Sequence, residues 1–314
     1  MLLSRTADSL FWTARYIERA ENTARLLEAA TRLSNVGSST EQVSNEWESA
    51  VLATGMEELF EERYGEASAR TVVDFLAFSE ANPSSIRSCL EAARANARSV
   101  RTAITIEMWE TINAAWLELK RYRTFGQSRG ELMEFLRFVK QVALSIDGIA
   151  NRTMLRTDGF SFFQLGSAIE RADNTARILD VKYHVLLPAG DRVGGGLDYF
   201  QWTSILRSVS ALTAYHWVYR ESLKPWLIAD LLILNEKMPR SLASCYGNVT
   251  RHLDSLSKTY GRQGKAQRMA RSIHSEFRNR DIDTIFHTGL HEFVEDFIGK
   301  NNKLGGTIAE QYLF

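Results

Sequence analysis

Cysteine and proline are nearly missing from this chain. Its two cysteines, Cys89 and Cys245, stand alone and far apart, neither in a Cys-x-x-Cys pair, which argues against a disulfide framework and against a thiolate metal site. The four prolines, Pro83, Pro188, Pro225 and Pro239, are separated by long stretches of Ala, Leu, Glu and Arg, the composition of a mostly helical protein. Excess charge is absent as well: 38 basic residues balance 38 acidic ones, so no global field draws in nucleic acid or an anionic membrane. The most apolar run, Trp226 to Leu234, is short and broken by Asp230, and the opening Met1 to Phe11 lacks a basic leader followed by an apolar core. These absences predict a soluble, unprocessed, cytoplasmic protein with neither a nucleic-acid nor a membrane partner. No segment alternates as a half-buried strand would.

What is present is a repetition. Ile17-Glu18-Arg19-Ala20-Glu21-Asn22-Thr23-Ala24-Arg25-Leu26-Leu27 returns 152 residues later as Ile169-Glu170-Arg171-Ala172-Asp173-Asn174-Thr175-Ala176-Arg177-Ile178-Leu179, with nine of eleven positions identical. The shared residues include polar ones that a helix pattern alone does not fix. The expectation is one domain over residues 1–314, an all-α multi-helix bundle built from two related halves, about 1–155 and 156–314.

In the first helix, about Asp8 to Leu33, Leu10, Ala14, Ile17, Ala20, Ala24 and Leu27 recur at three- and four-residue steps and form a core stripe. Arg15, Glu18, Asn22 and Arg25 run beside it at the same spacing, and Glu170, Asn174 and Arg177 repeat the ribbon; burial of such groups requires pairing. Asn82-Pro83 reads as an N-cap with Pro at the first helical position, opening a helix to about Ile104. Further helices are expected over 44–64, 68–80, 106–123, 129–154, 160–187, 198–221, 225–235, 239–260, 265–279 and 281–299. Turn-rich breaks fall at Ser34 to Thr40, Gly126 to Gly130, Pro188 to Gly196 and Gly261 to Gly264.

Several familiar chemistries fail on their requirements. Gly194-Gly195-Gly196 has no preceding strand and no Lys-Ser or Lys-Thr after it, so it reads as a loop and not a phosphate cradle. Glu18, Glu21, Glu170 and Asp173 supply the carboxylates of a metal bundle without its Glu-x-x-His pairs. His287 and His291, with Glu292, lack a third convincing ligand. No metal and no cofactor is expected.

Arginine is the stronger signal, with 29 of the 38 basic residues. Arg94, Arg98 and Arg101 share a helical face, Arg152 and Arg156 precede the second repeat, and Arg171 and Arg177 lie within it. A planar guanidinium fork suits carboxylate or phosphate, although isolated Glu-Arg pairs on a helix surface contribute only a few tenths of a kcal/mol. The same order of residues occurring twice points to a polar cluster joining the two halves.

Taken together, Ser9-Leu10-Phe11-Trp12, Arg15 to Asn22, Ala92 to Arg101, Arg156-Thr157-Asp158-Gly159-Phe160, Leu165-Gly166, Glu170 to Asp173 and Pro239-Arg240-Ser241-Leu242 resemble the bacterial alpha-E family. That helical group is named for its Glu-Arg motif, and the resemblance spans nearly the whole chain. Phe160 stands where many relatives carry Trp. The resemblance implies a neighbourhood: a circularly permuted ATP-grasp protein, often with a transglutaminase-like protease. ATP-grasp enzymes activate a carboxylate as an acyl phosphate and join it to an amine, so peptide or amide-bond formation is the implied setting.

Three functions follow. In the first, the chain is an accessory or substrate-binding partner of that ligase; Glu18, Arg19, Asn22, Arg25, Arg94, Arg98, Arg156, Asp158, Glu170, Arg171, Asp173, Asn174 and Arg177 hold an amino-acid or peptide-like ligand or fix the geometry around it. In the second, Glu18 or Glu170 is a general base with a raised pKa beside an oxyanion-stabilising Arg19 or Arg171. In the third, the repeated cluster only locks helices together.

Overall fold

The computed structural model of the chain describes residues 2–34, 46–122, 128–184 and 196–312. Among them every regular element is a helix. The first half comprises α1 (Ser4–Leu33), α2 (Glu46–Leu52), α3 (Glu57–Tyr64), α4 (Ala69–Val73, widening into a π turn at Asp74–Phe78), α5 (Ile86–Ser99), α6 (Ile106–Leu119) and α7 (Arg129–Thr153). The second comprises α8 (Asp158–His184), α9 (Gly196–Ser208), α10 (Leu212–Tyr219), α11 (Pro225–Ile233), α12 (Leu242–Tyr260), α13 (Lys265–Asn279), α14 (Ile282–Thr288) and α15 (Leu290–Tyr312).

The repetition extends far beyond eleven residues. Tyr64 donates to Asp74 at 2.7 Å, and 155 residues on Tyr219 donates to Asp230. Ser85 caps α5 by accepting from the Ser88 N–H at 3.1 Å, and Ser241 caps α12 from the Ser244 N–H at 3.0 Å. The thiols of Cys89 and Cys245 point at the carbonyls of Pro83 and Pro239. Burial pushes each thiol up to about 12, so both are inert core residues. Positive φ recurs too, at Gly55 and Ser210 and again at Gly65 and Arg220.

The long repeat helices α1 and α8 form the centre. α1 packs on α5, α7 and α8, while α8 packs on α1, α12 and α15. Phe162, Leu165, Ala172 and Leu179 of α8 join Leu231, Leu253 and Leu304 in one apolar cluster, and Ala24 and Leu27 of α1 join Phe75, Leu90 and Phe135 in another. Much of α1 is covered, so Glu18, Glu21, Asn22 and Arg25 are buried along with the apolar residues.

Backbone geometry corrects several expected boundaries. The helix expected over 44–64 breaks after Leu52 because Gly55 turns the chain at φ +66°, and that over 198–221 breaks at Ser210, φ +58°. Gly289, φ +105°, splits the last helix, which then runs through Gly299, Gly305 and Gly306 to Tyr312, well past the expected end. Asn82 is not the cap of α5: fully buried, it accepts from the Ser84 N–H and donates to the Phe75 carbonyl, holding the turn while Ser85 caps. Most of the breaks expected at Ser34 to Thr40, Gly126 to Gly130 and Pro188 to Gly196 lie outside the described residues; Gly196 opens α9.

Candidate functional site

α1 and α8 cross where Ala14 meets Gly166. These two positions correspond in the repeat, and a Cβ on Gly166 would stand 2.1 Å from the Phe11 carbonyl oxygen, so the approach requires glycine. One turn further along, each helix sends its motif glutamate across to the other. Glu18 accepts from Arg171 Nε and Nη2 at 3.0 and 2.7 Å, from Arg240 Nη1 at 2.9 Å and from Ser167 Oγ at 3.2 Å. Glu170 accepts from Arg19 Nε and Nη2 at 2.6 and 3.2 Å and from Arg15 Nε at 2.7 Å. The two Glu-Arg pairs are therefore exchanged: the glutamate of each copy binds the arginine of the other.

Each glutamate has two guanidinium partners and is buried, so it is neutralised as such burial demands. Burial pushes the Glu18 carboxyl up, but Arg171 and Arg240 outweigh it and hold its pKa down at about 2. Burial is likewise outweighed at Glu170 by Arg15 and Arg19, and that carboxyl lies below its ordinary range. The raised pKa that a general base at Glu18 or Glu170 needs is absent; the shifts run the opposite way.

Motif residues further along brace the same junction. Arg25 donates through Nε to Glu21 at 2.9 Å and through Nη1 to the Ser208 carbonyl and Ser210 Oγ, both at 2.9 Å. Its counterpart Arg177 donates to Asp173 at 2.7 Å, with Nη1 beside Gly55, the glycine that corresponds to Ser210. The Asn174 amide leans on the Glu18 carbonyl at 3.5 Å, and Asn22 is buried with Oδ1 unbonded.

Four expected site residues fall elsewhere. Arg94 donates to Asn113 at 2.8 Å and lies beside the Trp109 ring, and Arg98 is exposed on the outer face of α5. Helical spacing groups them with Arg101 but points that face away from α8. Arg156 is exposed over the Phe160 ring, 3.9 Å from its centre, and Asp158 accepts the Leu2 N–H at 2.9 Å and the Tyr260 hydroxyl at 3.3 Å. Twelve residues of helix, about 18 Å, separate Asp158 from Glu170.

Other residues carry more than their sequence position announced. Arg240, on the turn before α12, bridges Glu18 and Glu21, the latter at 2.7 Å. Arg15 does the corresponding work at Glu170. Both lay inside the stretches that carried the family resemblance, but no spacing rule links Arg240 to Glu18 across 222 residues. Asp147 of α7 is the third. It lines a cavity of about 40 Å³ with Glu18, Glu21, Ser167, Arg171 and Arg240, and no spacing in the sequence singles it out.

That volume is far below the roughly 300–1,000 Å³ that encloses a typical small-molecule ligand. Among the described residues no group of three His, Cys, Asp or Glu is placed to hold a metal ion; His291 instead engages Asp180 at 2.6 Å. No described helix is long and apolar enough to cross a membrane.

A family model described as a predicted alpha-helical domain with a conserved ER motif, Alpha-E, matches residues 2–313. The chain belongs to the Alpha-E family. No curated protein and no solved structure matches it. In this Alpha-E chain the Glu-Arg dipeptides are the two exchanged pairs at the crossing of α1 and α8.

Proposed function

We propose that this Alpha-E chain is a non-catalytic helical module that serves as the accessory partner of an ATP-grasp carboxylate-amine ligase. The observation that carries the non-catalytic part is the exchange of the two Glu-Arg pairs. Each motif carboxylate is held ionised by two arginines, and each motif arginine is already engaged, so the pairs act as an internal clamp between the halves. A clamp of this kind fixes the angle between two helical halves and presents one rigid surface to a partner.

The family resemblance supports an ATP-grasp protein as that partner, with a transglutaminase-like protease as a second. Exposed aromatic surface on consecutive helices also supports docking: Trp217 on α10 is 74% exposed and Trp226 at the start of α11 is 46% exposed. The test is co-purification with the ATP-grasp protein of the same locus, followed by ATP turnover across amino-acid pools for each protein alone and for the mixture. A stable complex whose amide-forming turnover depends on this chain is expected. A ligase that turns over equally without the chain, with no complex formed, overturns the proposal.

A further inference from the structure

The two halves differ around their motif glutamates, and the difference leaves a hole. In the second cluster Arg15 of α1 packs over the Trp12 ring at 4.6 Å and binds Glu170, and a Cβ added to Gly305 of α15 would stand 3.7 Å from Arg15 Nη1. In the first cluster the position corresponding to Arg15 is Ser167. Along α7 and α15, Leu132 corresponds to Leu290, Ile146 to Leu304 and Gly148 to Gly306, which pairs Asp147 with Gly305 and Ala143 with Asn301. Two smaller side chains, Ser167 for Arg15 and Ala143 for Asn301, thus open the cavity of about 40 Å³, whose lining includes both. Asp147 brings a carboxylate to it. That volume holds about three water molecules, comparable to the four heavy atoms of a guanidinium group.

The charges run the same way. Around Glu170 and Asp173 stand Arg15, Arg19 and Arg177, one cation more than the acids. Around Glu18 and Glu21 stand Arg171, Arg240 and Arg25, and Asp147 adds a third acid whose carboxylate makes no hydrogen bond or ion pair within 4 Å among the described residues. Exposed Leu144, one turn before Asp147, forms part of the rim, so the cavity is reachable from outside.

We propose that the cavity between α1, α7 and α8 binds a guanidinium group supplied from outside the chain, held by the Asp147 carboxylate beside the Glu18 cluster. The source is an arginine side chain of a polypeptide or a free guanidinium compound. Binding at this site does not depend on the ligase partnership. Burial raises the Asp147 carboxyl above its ordinary range despite the nearby Arg171 and Arg240, and a cation bound against it would offset that rise.

The probes are methylguanidinium and a capped arginine pentapeptide, titrated calorimetrically into the full chain in buffers of matched ionic strength, with urea as the neutral isostere and methylammonium as the compact cation. Saturable binding of the guanidinium probes, at least about tenfold tighter than urea or methylammonium, is expected from the paired donor geometry. Tighter binding of the pentapeptide assigns the site to a polypeptide, and tighter binding of methylguanidinium to a free compound. Ser167→Arg, which restores the Arg15 position, should fold and lose the binding by supplying the group from within. Asp147→Asn removes a charge with no ion-pair partner and should keep the fold while weakening the probe about tenfold or more, so the test stands even if Ser167→Arg does not fold. No saturable binding, or binding equal in wild type and Asp147→Asn, overturns the proposal.

Discussion

Around Glu170 both arginines come from one helix, Arg15 and Arg19 four residues apart on α1; around Glu18 one comes from α8 and the other, Arg240, from the turn before α12. The position of Arg240 is held in the first half by Ser84, which accepts from Arg19 at 3.4 Å, and the position of Arg15 is held in the second half by Ser167. A serine and an arginine have traded places between two sites that keep the same requirement. What both clusters retain is one buried carboxylate with two guanidinium partners; which backbone delivers the second one is free to differ. The charge balance is the physical constraint, because an unpaired ion in this interior costs more than the rearrangement of a turn.

The comparison breaks most visibly when a carboxylate is removed. Glu170→Gln leaves the half-buried Arg15 and Arg19 without counter-charge and should lower the unfolding free energy by about 3–5 kcal/mol, measured by urea titration. Glu18→Gln should cost a similar amount despite its different donors, and a loss under about 1 kcal/mol at either site would refute the clamp.

Acid titrates the same groups without mutation. The Glu18 carboxyl lies at about 2 in the folded chain against an ordinary 4.5, so its contribution is present in full above pH 4.5 and is lost as pH falls toward 2. A shift of that size corresponds to about 3 kcal/mol, and Glu170 acts in the same direction. Thermal midpoints between pH 6 and pH 3 should therefore fall in wild type and fall less in Glu18→Gln.

The crossing point distinguishes the halves more gently. Gly166→Ala forces α1 and α8 apart and should cost about 1–3 kcal/mol, whereas Ala14→Gly at the corresponding position should cost about 1 kcal/mol through helix propensity. Equal losses would mean that the close approach at Gly166 is not the constraint. Smallest and most symmetric are the caps: Ser85→Ala and Ser241→Ala should each cost about 1 kcal/mol, and a difference beyond error would show that α5 and α12 are held differently.

Much of this molecule is legible in its residues. Helical content follows from the spacing of Leu10, Ala14 and Ile17 and of their counterparts on α8, and the eleven-residue repeat announces that α1 and α8 carry the same polar order. The Asp8 to Leu33 helix and that over 265–279 lie close to α1 and α13 because their periodicity meets no competing signal. Sequence reading fails at Gly55, Ser210 and Gly289, where a single left-handed residue ends a helix without a change in hydrophobic pattern. It fails at Arg94, Arg98, Arg156 and Asp158 for another reason. Shared residue type and helical spacing give a face, but not what that face meets.

The sequence by itself determined that the chain is helical and that Glu, Arg and Asn recur in a fixed order on a repeated helix, because these depend on local propensity and period. Tertiary structure decided that the glutamate of each copy pairs with the arginine of the other, that Arg240 joins Glu18 from 222 residues away, and that Ser167 and Asp147 enclose a cavity. Those outcomes arise from the crossing of α1 and α8 at Gly166. A contact between helices 152 residues apart is set by how closely two backbones can approach, a quantity that no spacing along either helix contains.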